Sequence, residues 1–188
     1  MQVIGERPLA VSVEAFKRAV VIAQEDADHD VALTAYLDAA QEVVETGARR
    51  PMTPRQVQFT TWAGVGLRWW VPVAPVSAVS LVEYEGDSGW VSLPSSAWRL
   101  VQGFDEPQII FASTAFSAVS DIAALRITAT VGHPAPPKSL AQAVILLAKD
   151  WFDTGVAVED HKEVALNFGC RSLIRQARYQ RPREWAAQ

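Results

Sequence analysis

Residues 125–152 read LRITATVGHPAPPKSLAQAVILLAKDWF, and the change of pattern within this stretch decides the fold class. Residues 125–131 have the short alternating pattern of a strand, which the glycine and prolines of 132–137 end because proline cannot join a β ladder. We expect a helix from about 137 to 153, since proline is tolerated at the first helical position. One continuous segment thus predicts both a sheet and a helix.

Apolar residues recur along this predicted helix at helical spacing. Four of them form one stripe and three widen it: Leu140, Val144, Leu147 and Trp151, flanked by Ile145, Ala148 and Phe152. A helix that is apolar over so much of its surface is buried either in a core or against another subunit. The sequence leaves both possibilities open.

The middle of the chain, residues 55–131, consists of short segments separated by turn residues. Strands are predicted at 56–62, 67–73, 76–84, 90–93, 98–101, 108–111 and 125–131. This spacing is typical of a small antiparallel β-sheet or barrel.

Two helices are predicted before the β region, within residues 12–47. Ser12 is placed to cap the first helix, Asp30 to cap the second, and Gly47 to end the second in a left-handed conformation. The predicted fold class is therefore α+β. We expect a mainly helical body, made of the N-terminal helix pair, the long buried helix and a basic C-terminal helix, with the small antiparallel sheet or barrel inserted in the middle.

The end of the chain is strongly basic. Residues 171–188 contain five arginines against Glu184, a net charge of +4, whereas residues 1–169 hold twelve Lys and Arg against twenty Asp and Glu, a net charge of −8. We therefore divide the chain into one body, residues 1–169, and a basic helix and arm, residues 170–188. A basic segment on an acidic body is suited to an acidic protein surface or a phosphate backbone.

This basic segment combines a helix with an extended arm. The helix should begin near Asn167 and turn Leu173, Ile174 and Ala177 inward, while three arginines spaced four and three apart share another face. The Arg-Pro-Arg at 181–183 cannot easily continue the helix. Arg, Tyr and Trp are enriched at binding hot spots. The candidate binding residues are Arg171, Arg175, Arg178, Tyr179, Arg181, Arg183 and Trp185.

Composition limits the class of protein. A chain of 188 residues that is 49% hydrophobic and 20% charged can bury a core of its own. Cys170 is the single cysteine, so an internal disulfide and a multi-cysteine zinc site are excluded. The N-terminus lacks a signal-peptide pattern, and no apolar run approaches the roughly twenty residues of a membrane span, so we expect no membrane association.

Two local patterns resemble functional motifs and have simpler explanations. Gly86-Asp87-Ser88-Gly89 has the sequence found around the nucleophile of chymotrypsin-like proteases, but glycine and aspartate also suit a β-hairpin turn. Asp26, Asp28 and Asp30 have calcium-loop spacing without the glycine and glutamate that such a loop requires. His161 has no second histidine placed to share a metal. We predict no enzyme, no metal and no cofactor, and keep a hydrolase using Ser88 as a third hypothesis.

Three tryptophans, Trp62, Trp69 and Trp70, lie close together in the β region. Aromatic residues stack on bases in proteins that bind single strands. Here, however, few basic residues accompany them and acidic residues are near, so packing in a core or at a subunit interface is the preferred interpretation.

The order of these elements resembles that of the head–tail connector (adaptor) proteins of long-tailed phages and of phage-derived gene transfer agents. The matching blocks are DVAL and AAQEVVE within residues 30–45, VPVAPVSAV at 71–79, and ATVG, PP and KDWF within 129–152. The arginine-rich end closes the pattern, which covers about residues 12–181.

The resemblance implies a structural protein. Connectors of this family form rings, typically of twelve subunits, under the portal of a DNA-filled head. They join the portal to the stopper or tail-completion protein, and the packaged duplex passes through the channel with non-specific contacts. The implied location is the neck of a virion or gene-transfer-agent particle, after synthesis in the bacterial cytoplasm.

The resemblance also gives roles to the residues above. The basic segment becomes the portal anchor, and the apolar helix and the tryptophans become the subunit interface: Trp62, Trp69, Trp70, Leu140, Val144, Leu147, Trp151 and Phe152. The alternative is a nucleic-acid-binding protein that uses the arginine-rich arm. The overall net charge of −4 argues against it, because such domains usually have a dominant basic surface.

Overall fold

The structure, a computed structural model, describes residues 1–25, 27–63, 66–103, 106–117, 123–155 and 166–181. These residues form two compact units. The β unit consists of Met1–Arg7 and Pro54–Gly132, with Gln180 and Arg181, and the helical unit consists of Pro8–Thr53 and His133–Tyr179. Of the described residues, 36% are helical and 30% lie in strands. The α+β class is confirmed, but the prediction of a mainly helical body is wrong because the inserted β region is nearly as large.

The β unit contains two antiparallel sheets. Its described strands are β1 (Gln2–Ile4), β2 (Arg55–Trp62), β3 (Arg68–Trp70), β4 (Val76–Gly86), β5 (Gly89–Ser92), β6 (Trp98–Gly103), β7 (Glu106–Phe111) and β8 (Ala124–Val131). One sheet has the order β1-β2-β8-β4-β5 and the other the order β3-β7-β6. Strand β1 was not predicted, because three residues are too few to show an alternating pattern.

One apolar core joins the two sheets of the β unit. Along β8 every second residue from Leu125 to Val131 is buried, since strand side chains alternate between faces. Phe59 of β2 and Trp69 of β3 meet edge to face, with their ring centroids 5.7 Å apart. Core residues of one sheet therefore contact those of the other, and the predicted small antiparallel sheet is confirmed as two packed sheets.

The helical unit has a second core. Its described helices are α1 (Val13–Val20), α2 (Asp30–Ala48), α3 (Lys138–Thr154) and α4 (Phe168–Ala177). Leu140, Val144 and Leu147 of α3 are at most 1% exposed. Packing within the helical unit therefore explains the apolar stripe of α3. Within the described ranges, none of the helices has the length and apolar character needed to cross a bilayer.

The first turns of α1 and α2 are stabilised in different ways. Ser12 caps α1 as predicted: its Oγ accepts a hydrogen bond from the Ala15 N–H at 3.2 Å. Asp30 was predicted to cap α2, and this is wrong. It is the first residue of the helix, and its carboxylate pairs with the buried ammonium group of Lys17 at 2.5 Å.

Gly47 permits a close approach and does not form a left-handed bend. Helix α2 continues to Ala48, and the left-handed residue is Arg49, with φ 54°. A Cβ at position 47 would lie 2.9 Å from Cγ2 of Ile174 in α4. The prediction that Gly47 ends α2 is therefore wrong. Gly47 lies within α2, where the close contact with Ile174 leaves no room for a side chain.

A buried polar network lies where the chain enters and leaves the helical unit. The Gln41 amide, fully buried, donates to the Pro8 carbonyl at 3.1 Å and to Glu45 Oε1 at 3.1 Å. The same Glu45 oxygen accepts from the Met52 N–H at 2.6 Å, and Thr53 Oγ1 donates to the Pro8 carbonyl at 2.9 Å. Pro8 and Thr53 are the two ends of the first segment of the helical unit, so the network joins the ends of that segment.

Candidate functional site

Helix α4 is the described helical part of the basic segment, and its inner face is firmly packed. The Asn167 side chain accepts a hydrogen bond from the Cys170 N–H at 2.7 Å, which caps the helix at the predicted start. The Asn167 amide also donates to the Asp150 carboxylate at 2.6 Å. Cys170 is fully buried and Ile174 nearly so. Of the three residues predicted to turn inward, Ile174 is buried, and Leu173 and Ala177 pack half-buried against the same core.

The end of α4 is closed by the segment that follows α2. Arg50 Nε donates to the Ala177 carbonyl at 2.7 Å, and the Tyr179 N–H donates to the Ala48 carbonyl at 2.8 Å. Tyr179, a predicted binding residue, is only 4% exposed, so its side chain offers little surface to a partner. Arg178 has an extended backbone beyond the last helical residue. It therefore does not continue the helical face of the preceding arginines, as the spacing had predicted.

The outer face of α4 is aromatic as well as basic. Phe168 is 87% exposed, and Arg171 and Arg175, three and seven positions further along, are exposed on the same helical face. One guanidinium nitrogen of Arg171 donates to the Leu166 carbonyl at 3.3 Å. We name Phe168, Arg171 and Arg175 the α4 surface. Phe168 was not among the predicted binding residues, although its position outside the inward set of α4 indicated that it is exposed.

The remaining predicted anchor residues follow α4. Arg178 and Arg181 are exposed. Arg183 and Trp185 lie outside the described residues. The predicted anchor residues that are described and exposed are therefore Arg171, Arg175, Arg178 and Arg181.

The predicted interface residues of α3 have little free surface. The stripe residues described above are inside the helical core, and Trp151 is 8% exposed. Phe152 is half-buried and meets His29 edge to face, with ring centroids 5.7 Å apart. Of this set, Phe152 keeps the most surface that a neighbouring molecule can reach.

The three tryptophans of the β region lie in different environments. Trp69 is part of the core, as its contact with Phe59 shows. Trp70 is half-buried, with the guanidinium carbon of Arg68 5.9 Å from its ring centroid. Trp62, at the end of β2, is 63% exposed. Trp62 is therefore the tryptophan of this group with most surface for a partner.

An ion pair organises the outer face of the five-stranded sheet. Arg126 of β8 lies opposite Glu83 of β4 and donates two hydrogen bonds to its carboxylate, at 2.7 and 2.9 Å. The bond with Glu83 raises the pKa of Arg126 above its ordinary value. The Arg126 guanidinium carbon is also 4.2 Å from the Trp90 ring centroid, a cation–π contact. Sequence reasoning missed this group because the strand register brings it together.

The motifs that resembled catalytic or metal sites have structural positions. Gly86 pairs with Gly89 across the β4–β5 hairpin, so Asp87 and Ser88 form its exposed turn. The described residues of the β unit include no histidine that could act on Ser88. Burial raises the pKa of the Cys170 thiol, which favours its neutral, unreactive form.

The acidic loop before α2 is equally accounted for, as far as it is described. Asp30 pairs with Lys17, and Asp26 lies outside the described residues. His161 also lies outside the described residues. In the part of the chain that the structure describes, no group of three or more His, Cys, Asp or Glu side chains is arranged to hold a metal ion.

Both units together are similar in fold to proteins of gene transfer agent (GTA) particles. A protein in the neck of an empty GTA particle, computed with C6 symmetry, aligns with 99% of this chain and 97% of its own length, with a TM-score of 0.72 and 25% identity. A protein in the virion of a native GTA particle aligns over the same shares, with a TM-score of 0.71 and 25% identity. The resemblance to the head–tail connector family is confirmed.

A third solved structure has the same fold at lower identity. It is a protein in the neck of a native GTA particle, computed with C12 symmetry, with a TM-score of 0.71 and 23% identity over 99% of this chain and 97% of that one. No protein-family model matches the chain, and no curated protein sequence matches it. The similarity of this chain to known proteins is therefore seen in its fold, which persists where sequence similarity is weak.

Proposed function

We propose that the chain is a structural head–tail adaptor in the neck of a phage-like particle. The observation that supports this most strongly is the fold similarity to a GTA neck protein over 99% of the chain, which includes the β unit and the helical unit. In this proposal residues 1–169 form the adaptor body and residues 170–188 the attachment segment. The protein is made in the bacterial cytoplasm and then incorporated into the neck of a virion or GTA particle.

The adaptor acts as a ring of twelve subunits. The two similar neck structures were computed with C6 and C12 symmetry, and a twelvefold ring is compatible with both. Among the predicted interface residues, Trp62, Trp70 and Phe152 keep surface for lateral contacts. Large aromatic side chains are enriched at protein interfaces, so these three are the favoured candidates.

The portal is the partner of the α4 surface. An arginine guanidinium can donate two parallel hydrogen bonds to one carboxylate, which makes Arg171 and Arg175 suited to an acidic portal surface. Phe168 adds an exposed aromatic ring of the kind that anchors interfaces. The packed inner face of α4 holds these side chains in place before binding. Repeating this contact around a ring converts weak single contacts into strong attachment.

The arm extends this attachment beyond α4. Arg178 and Arg181 are exposed, and Arg183 and Trp185 follow in the sequence. The charge of +4 over residues 171–188, which include most of α4 as well as the arm, contrasts with the −8 of residues 1–169. An acidic body repels phosphates, so duplex DNA that passes through the ring makes only weak, non-specific contacts. The opposite side of the ring then contacts the stopper or tail-completion protein.

Electron microscopy of the purified protein, alone and mixed with its portal protein, tests this proposal. We expect a twelvefold ring seated on the portal. Titration with duplex DNA at several salt concentrations separates the adaptor from the nucleic-acid-binding alternative, since phosphate binding falls steeply with salt. Tight, salt-dependent DNA binding with no ring in either sample would replace the adaptor by that alternative.

A further inference from the structure

The five-stranded sheet has two edges of similar composition. Among the described residues, β1 pairs only with β2 and β5 pairs only with β4. Neither edge strand contains a charged residue or a proline, which are the residues that proteins commonly use to protect an edge. Each edge therefore offers outward backbone N–H and C=O groups that can pair with another strand.

Both edges also expose apolar side chains. On β1, Val3 is 37% and Ile4 39% exposed, and on β5, Trp90 is 39% and Val91 41% exposed. The strand register places Val3 and Val91 on the core side of the sheet, and Ile4 and Trp90 on its outer side. Each edge thus presents one apolar residue on each face, and joining the two edges would cover all four.

The strand directions determine how two copies can be joined. All four neighbouring pairs of the sheet are antiparallel, so β1 and β5 run in the same direction. A twofold axis would join like edges, β5 to β5, and end the assembly at a dimer. The small rotation between neighbours in a ring joins unlike edges, and such head-to-tail contacts can close into a ring.

We infer that β5 of one copy pairs in parallel with β1 of the next copy. Val91 then lies beside Val3 of the next copy on the core side, and Trp90 reaches Ile4 of that copy diagonally on the outer side. The five-stranded sheets of neighbouring subunits become one continuous sheet around the ring. This inference rests on the proposed ring and specifies the contact that closes it.

Disulfide cross-linking of the full-length protein in its assembled form, with the portal if the ring needs it, tests this pairing. Paired strands bring Cα atoms to about 5 Å, within reach of a disulfide. A mixture of Val3→Cys protein and Val91→Cys protein is expected to give a linked dimer on a non-reducing gel, and neither protein alone should do so. Cys170 is buried and does not compete.

A matched control places the second cysteine on the other face of the same strand. Val3→Cys mixed with Trp90→Cys should give no linked dimer, because the two thiols would lie on opposite sides of the sheet. A dimer formed by Val91→Cys protein alone would indicate like-edge pairing and overturn the inference. A strand of the portal or stopper seen beside β5 in an assembled neck would also overturn it.

Added charge gives a second readout that does not depend on sulfur chemistry. Ile4→Lys and Val91→Lys are each expected to raise the protein concentration for half-assembly by about tenfold or more, because a lysine at an edge opposes strand pairing. Thr128→Lys, a change on the middle strand of the same sheet, is expected to leave that concentration unchanged. Circular dichroism establishes that each variant is folded.

The two proposals fail in different ways. Normal rings from both edge-lysine variants, without a Val3–Val91 cross-link, would overturn the strand pairing and leave the adaptor function standing. Absence of any ring from the unmodified protein, alone or with its portal, would overturn the adaptor function itself.

Discussion

Gly47 and Ile174 approach each other so closely that no larger residue fits at position 47 without movement. A Cβ there would lie 2.9 Å from Ile174 Cγ2, and Ile174 is 7% exposed with neighbours on its other sides. The contact joins α2 to α4, which are distant in sequence. The position of the α4 surface therefore depends on a glycine in another helix.

Replacing Gly47 by alanine is expected to destabilise the protein even though alanine is the better helix former. Alanine contributes about 1 kcal/mol of helix propensity, but overpacking a buried contact costs about 1–3 kcal/mol. We expect the free energy of unfolding, measured by urea denaturation, to fall by about 1 kcal/mol. In an Ile174→Ala background, which lacks Cγ2, the same substitution should raise it. An equal effect in both backgrounds would show that Ile174 is not the obstacle.

The helix-end predictions that were correct depend on partners close in the sequence, whereas those that were wrong depend on partners distant in the sequence. Ser12 and Asn167 cap their helices through N–H groups three positions along the chain, so local rules found them. The role of Gly47 depends on its contact with Ile174, and the role of Asp30 depends on its ion pair with Lys17. Only the folded structure brings these partners close together. Alternation predicted most strands for the same local reason, whereas the shared core of the two sheets depends on distant contacts.

Replacing Gln41 by leucine is expected to be strongly destabilising. The Gln41 amide accepts from the Ala10 N–H at 2.7 Å and donates to the Pro8 carbonyl at 3.1 Å. Leucine would leave the Ala10 N–H without its acceptor, and an unsatisfied group costs about 1–3 kcal/mol. The Pro8 carbonyl would keep its bond from Thr53 Oγ1 but lose the one from Gln41, so we expect the free energy of unfolding to fall by about 2–4 kcal/mol in total.

The matched control for Gln41 is the same substitution at Gln176. Gln176 is exposed on α4, and its amide donates a hydrogen bond to Ser172 Oγ at 3.3 Å across one turn. Gln176→Leu should change the free energy of unfolding by about 0.5 kcal/mol or less. If both variants lose a similar free energy of unfolding, the buried hydrogen bonds of Gln41 do not stabilise the protein.

The Ser12 cap is expected to lose part of its effect in acid. The hydrogen bond from Ser12 lowers the pKa of Glu14 below its ordinary value of 4.5. Because the folded pKa is the lower one, this contribution is complete above the unfolded pKa and is lost as pH falls through the folded pKa. Ser12→Ala should cost about 1 kcal/mol at pH 7 and less near pH 3. In a Glu14→Gln background, the cost measured by denaturation should not vary with pH over this range, and a variation that persists there would exclude Glu14 as its source.

The candidate binding surface was only partly accessible to sequence reasoning. The charge contrast and the arginine spacing located α4 without any structure. They could not show that Tyr179, which follows the helix, is buried, and the exposure of Phe168 was indicated only by its position outside the inward set of α4. The two sheet edges were equally hidden, since β1 and β5 become comparable only when the strand order is known.

The α4 surface is expected to bind the portal, and Phe168→Ala and Arg175→Glu should each weaken that binding without unfolding the protein. Both side chains are exposed, so their loss leaves the core intact. A hydrogen bond to a charged group contributes about 1.5–3 kcal/mol, which corresponds to a Kd about tenfold to a hundredfold higher for Arg175→Glu. The Kd is measured with purified portal by calorimetry. In particles, the same change should give filled heads that lose DNA or fail to gain tails.

Arg99→Glu is the control for this prediction, because it makes the same charge change at an exposed arginine of the β unit. If binding depends on the α4 surface, Arg99→Glu should leave the Kd for the portal nearly unchanged. Equal weakening by Arg99→Glu and Arg175→Glu would mean that net charge alone matters. Unchanged binding by Phe168→Ala and Arg175→Glu, and also after deletion of residues 180–188, would place the anchor on another surface and assign the basic arm to DNA.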